Sequence, residues 1–77
     1  MPNRIIAAIG AVTAAMRAER TLRAAGIAAE VVALDADQTR RGCAFGVAFP
    51  SQEEARARQV LRAARISISQ YIKERAM

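Results

Sequence analysis

One helix-to-strand junction occurs twice in the chain. Leu22-Arg23-Ala24-Ala25-Gly26-Ile27 returns as Leu61-Arg62-Ala63-Ala64-Arg65-Ile66. Each copy follows an alanine-rich helical stretch and leads into β-favouring residues, so the sequence reads as β-α-β written twice. Two such units joined by a loop predict an α+β fold, a ferredoxin-like β-α-β-β-α-β sandwich. Its four-stranded antiparallel sheet would carry both helices on one face.

Local signals fill in that frame. Ile5 to Ile9 is a short apolar run between Pro2-Asn3-Arg4 and Gly10, the pattern of a buried strand. From Val12 to Ala25 the residues favour helix, with Val12, Ala15, Ala18, Leu22 and Ala25 recurring on one face. Gly26 supplies the left-handed residue that ends it. Ile27 to Leu34, with Val31-Val32, is the second strand, and Asp35 to Gly42 is a polar loop without apolar period. Cys43 to Phe49 alternates as a third strand with Cys43, Phe45, Val47 and Phe49 on one side. Ser51 and Glu54 have the spacing of a capping box, opening a second helix to about Ala64 that buries Ala57, Val60, Leu61 and Ala64. Ile66, Ile68 and Tyr71 suggest a last strand. Residues after about 71 are expected as a tail or a terminal helical turn.

Length and composition limit what such a fold can do. Seventy-seven residues make one domain, 1–77, near the lower size limit for a chain without disulfides or metal. With a single cysteine and no histidine, Cys/His zinc sites, Ser-His-Asp triads and Cys-His pairs are excluded together. No cofactor is implied, and any catalysis would be minimal or shared with a partner, which argues against an enzyme in the strict sense. No apolar run approaches the roughly 18 residues of a membrane span, and a lone thiol suits a reducing compartment, so the expected location is cytoplasmic.

The net charge of +5 comes almost wholly from arginine, with Lys73 the only lysine. Such a balance fits an acidic protein partner or nucleic acid. A base-stacking surface needs exposed aromatics, and alternation puts Phe45 and Phe49 on the core side with Val47, so basic charge carries the nucleic-acid reading alone. The sheet face away from the helices has few polar residues, which points to a homo-oligomer.

Cys43 is the one plausible chemical handle. It stands in Thr39-Arg40-Arg41-Gly42-Cys43, where a flexible polar loop enters a strand. Guanidinium charge from Arg40 and Arg41 would stabilise its thiolate, provided the arginines fold toward the sulfur. A thiol of lowered pKa can accept a sulfur atom as a persulfide. The bland alternative is a small apolar residue opening a buried strand. Asp35 and Asp37 could in principle meet a hard cation, but two carboxylates without further oxygen ligands make a poor site, so no metal is expected. Gly42 and Gly46 lack the spacing and the lysine of a phosphate-cradling loop.

Ala15-Met16-Arg17-Ala18-Glu19, then Leu22, Ala25-Gly26-Ile27, a strand, a polar loop and Gly42-Cys43, resembles a small family described as selenium/sulfur carrier-like proteins. The resemblance runs from about Ile5 to Leu61. It implies that the family's single cysteine falls on Cys43 and its helix glutamate on Glu19. Ile9-Gly10-Ala11 stands where the family has Phe-Pro-Ser, and Ala44 where it has a glycine, so the loop geometry is not carried over. Two functions follow as expectations. One is a small persulfide-type sulfur or selenium carrier using Cys43, docked by its basic surface to an acidic donor or acceptor. The other is a non-catalytic module that assembles through its open sheet face.

Overall fold

The computed structural model describes residues 3–34 and 45–75. The elements run β1 (Asn3–Gly10), α1 (Val12–Ala24), β2 (Glu30–Ala33), β3 (Phe45–Pro50), a single 3₁₀ turn (Ser51–Glu53), α2 (Glu54–Ala63) and β4 (Gln70–Arg75). The four strands form one sheet in the order β2-β3-β1-β4, every neighbour antiparallel. This is the expected α+β, ferredoxin-like sandwich.

Strand alternation decides the layers. Ile5 and Ala7 of β1 and Val47 and Phe49 of β3 pack with Ala18 and Leu22 of α1 and Ala57 and Leu61 of α2 in one core, which puts both helices on one face. Each of these side chains is at most 2% exposed. At about 25 cal/mol per Å² of buried apolar surface, this core is the main favourable term holding so short a chain together. On the opposite face Ile6, Ala8 and Ala48 are also at most 2% exposed, while the flanking Val32 and Ile72 are half-buried. Gly46 lies between them because nothing larger fits: a Cβ there would stand 2.5 Å from the Ala7 carbonyl oxygen.

The repeated junction is a repeated helix cap. In the first copy Ile27 N–H bonds the Leu22 carbonyl and Gly26 N–H that of Arg23; in the second Ile66 bonds Leu61 and Arg65 bonds Arg62. These are the two bonds of a Schellman motif, with Gly26 (φ 83) and Arg65 (φ 59) in the left-handed position. The likeness extends to the side chains between the helices. Arg17 donates to the carbonyl of Ala64 at the end of α2, at 3.3 Å, and Arg56 donates to that of Ala25 at the end of α1, at 2.6 Å. Both arginines stand five residues before the capped leucine of their own helix. Each helix thus supplies a cation for the other's negative end.

Several local expectations are corrected. Val12 does not lie on the buried face of α1 but is 41% exposed, because Ala15, Ala18 and Leu22 already fill the stripe toward the sheet. The β2 ladder is confined to Glu30–Ala33, since the Schellman cap occupies Gly26 and Ile27. The capping box does not form: the first turn after Pro50 is 3₁₀, no side chain caps either it or α2, and Glu54 pairs with Arg58 at 2.6 Å instead. Val60 and Ala64 are half-buried. The segment from Gln70 continues as a strand against β1 rather than turning into a helix.

Candidate functional site

Cys43, Arg40, Arg41 and Gly42 lie outside the described residues, as do Asp35 and Asp37. The described residues frame the segment that carries them. It leaves β2 after Ala33 and rejoins the sheet at Phe45, and these two residues are register partners. Phe45 also pairs with Gly10 of β1, across a bulge between Ala8 and Gly10. Cys43 precedes Phe45 by two residues in the sequence.

The same end of the sheet holds the start of α1. Gly10, at φ 126, turns β1 into the extended residue Ala11, from which the helix begins. Ala11 has no side chain to cap the first turn, and that turn contains no acidic residue. Among the described residues, therefore, no side-chain cap and no first-turn carboxylate answers the N–H groups and the positive dipole end of α1. The absence of Ser, Thr, Asp or Asn at Gly10-Ala11 was the available sequence signal for this.

Glu19 has a structural task. Its carboxylate accepts a hydrogen bond from Val31 N–H on the outer edge of β2, at 3.2 Å, and lies 3.8 Å from Arg23 Nη2. The partner is twelve residues away, beyond what spacing on a helix can indicate. An acidic side chain here occupies an edge donor that would otherwise be open to another strand.

Two clefts lie elsewhere. One of about 660 Å³ opens at the far end of the sheet, between Arg4, Ile27, Glu30 and Pro50. Its cations are already engaged, Arg4 by Glu30 and Arg23 by the Ala29 carbonyl at 2.9 Å. The other, of about 210 Å³, lies between α2 and β4, where Arg58 stacks 4.2 Å above the Tyr71 ring. Burial holds the Tyr71 phenol above its ordinary pKa, partly offset by Arg58 and Arg62. Neither cleft is lined by Gly10, Ala33 or Phe45. Among the described residues no helix is long and apolar enough to cross a membrane.

A family model described as putative Se/S carrier protein-like matches residues 4–73. No curated protein and no solved structure matches the chain.

Proposed function

The chain belongs to that carrier-like family, and from this premise we propose that it is a small sulfur or selenium carrier whose working group is the thiol of Cys43. The observation that carries the reading is the family match across residues 4–73 in a chain with one cysteine and no histidine. No other side chain of the sequence can hold sulfur or selenium as a covalent, reversible adduct.

Loading is a sulfur exchange. The Cys43 thiolate attacks the outer sulfur of a donor persulfide, the donor's S–S bond breaks, and its inner sulfur leaves as a thiolate. Cys43 then bears the persulfide, and no external oxidant or reductant enters. A selenium donor follows the same course. Attack needs the thiolate, and Arg40 and Arg41 supply stabilising charge close in sequence. The uncapped start of α1 at the sheet end where this segment rejoins supports the same electrostatics.

The alkylation rate of Cys43 against pH tests the proposal. The expected thiol pKa lies below the ordinary value of about 8.5 and rises in Arg40→Ala/Arg41→Ala. Intact mass of protein isolated without reductant should include a species heavier by one sulfur or selenium, absent in Cys43→Ser. An ordinary thiol pKa with slow native labelling and no such species overturns the proposal. The alternative, assembly through the open sheet face, has less support: the central side chains of that face are buried, leaving mainly Val32 and Ile72 to a second copy.

A further inference from the structure

The two halves of the molecule serve as each other's control. A shift of 39 residues brings Ala18 onto Ala57 and Leu22 onto Leu61, all four fully buried, and Arg17 onto Arg56, the reciprocal caps. On the outward helix surface the same shift pairs unlike residues. The second half has Ser51, half-buried in the 3₁₀ turn, and the exposed Ala55 and Gln59 of α2, none of them large and apolar. Their equivalents in the first half are Val12, Met16 and Arg20, spaced i, i+4, i+8 along one stripe of α1. Val12 is 41% and Met16 50% exposed, the two large hydrophobic residues that the described chain leaves in solvent.

We propose that this stripe is the docking surface for a protein partner with an apolar centre ringed by carboxylates. The inference deepens the carrier reading, and rests on it, by naming the kind of protein that a carrier must meet to be loaded or emptied. Exposed methionine beside arginine is the composition of protein interfaces rather than of solvated helix faces. The charge around the stripe selects an acidic partner. Arg20 is exposed and makes no ion pair or hydrogen bond among the described residues. Arg17, which follows Met16, adds a second guanidinium, one N–H of which is given to the Ala64 carbonyl at the end of α2. The only carboxylate of α1, Glu19, is committed to Val31 N–H at the sheet edge. The uncapped, acid-free first turn adds further positive potential at Val12.

Nucleic acid fits less well. Phosphate contacts use charge and give the exposed Val12 and Met16 no role, and base stacking needs open aromatic faces. Phe49 is buried, Phe45 and Tyr71 are half-buried, and Arg58 covers the Tyr71 ring.

The test is fluorescence anisotropy at low salt with a labelled amphipathic peptide that has leucines on one face and glutamates around them. The same peptide with glutamine for glutamate and a short RNA duplex are compared. Binding of the acidic peptide is expected, falling about tenfold in Arg20→Glu and severalfold in Met16→Ser. Arg62→Glu makes the same charge change at an exposed, unpaired position of α2 and should alter affinity less than about twofold. Equal losses in Arg20→Glu and Arg62→Glu would reduce the effect to net charge and overturn the inference. So would tighter binding of the RNA, or no binding of the acidic peptide. Circular dichroism and melting of each variant check that the fold is intact. An ordinary Cys43 thiol alongside this peptide pattern counts against the carrier reading, whereas a low-pKa Cys43 thiol without the pattern counts against the docking surface alone.

Discussion

Arg65 holds φ 59 where the first half has Gly26 at φ 83. A left-handed residue with a Cβ costs about 1–2 kcal/mol, whereas a glycine costs roughly 0.5–1 kcal/mol more unfolded-state entropy than alanine. Arg65→Gly should therefore stabilise the protein by about 0.5–1 kcal/mol, and Gly26→Ala should destabilise it by about 1 kcal/mol. Urea midpoints check both; equal shifts of one sign would show that the second cap is not strained. Gly46→Ala is the harsher change, because the Cβ 2.5 Å from the Ala7 carbonyl oxygen cannot be relieved by a rotamer. It should cost roughly 1–3 kcal/mol by overpacking, and a neutral result would mean that β1 and β3 separate more easily than their register implies. Gly26 was legible as a helix terminator, since glycine is the residue such a cap selects. The strain at Arg65 became visible only when the repeated cap placed an arginine in the same backbone geometry.

Elements were legible where side chains follow a period. The bounded apolar run Ile5–Ile9 and the alternation within Cys43–Phe49 marked the two central strands, and alanine and leucine spacing marked both helices. Signals read from single pairs fared worse. Ser51 and Glu54 match a capping box, but Pro50 leads into a 3₁₀ turn and Glu54 finds Arg58. Ser51→Ala is accordingly expected to cost less than about 0.5 kcal/mol, where a working cap would cost about 1 kcal/mol. A loss of the larger size in thermal melts would restore the capping box in solution. Leu22 and Leu61, at 0% exposure, are the anchors through which each helix holds the sheet. Leu22→Ala and Leu61→Ala should each cost about 2–5 kcal/mol, a large fraction of what a chain this short can hold in reserve. The charge on Tyr71 adds a pH test of the α2–β4 contact. Its folded pKa lies above the ordinary 10.0, so the folded state keeps its proton longer than the unfolded chain. That contribution is intact below pH 10.0 and is lost as pH rises from there through the folded value. Tyr71→Phe should flatten this part of the stability profile, and an unchanged slope would place the phenol in water. The candidate site was legible only as chemistry: Asp35–Gly42 has no apolar period to place it, and Cys43 lies outside the described residues.

At the scale of the whole molecule, the sequence repeat and the unit of folding are different things. The repeat divides the chain into β1-α1-β2 and β3-α2-β4, yet neither half contains two strands that are neighbours in the sheet. β3 lies between β1 and β2, and β1 lies between β3 and β4. The reciprocal caps cross the same division, Arg17 to Ala64 and Arg56 to Ala25. Each half alone would leave its strands with unpaired ladders and its helix without the other's cation, in a piece at or below the roughly 40 residues under which a chain needs a staple to fold. A chain divided between Arg40 and Arg41 should therefore give two pieces that show no cooperative melting separately. Mixed, they should recover the far-ultraviolet circular dichroism of the intact protein, because β2 and β3 pair directly across the cut. Joining two pieces makes folding bimolecular, so the melting midpoint of the mixture should rise with concentration while that of the intact chain does not. Cooperative melting of either piece by itself would make the repeat a true folding unit and dissolve the argument from strand order. Failure of the mixture to refold would assign the covalent link between β2 and β3, rather than the interlocked strands, the task of bringing the halves together.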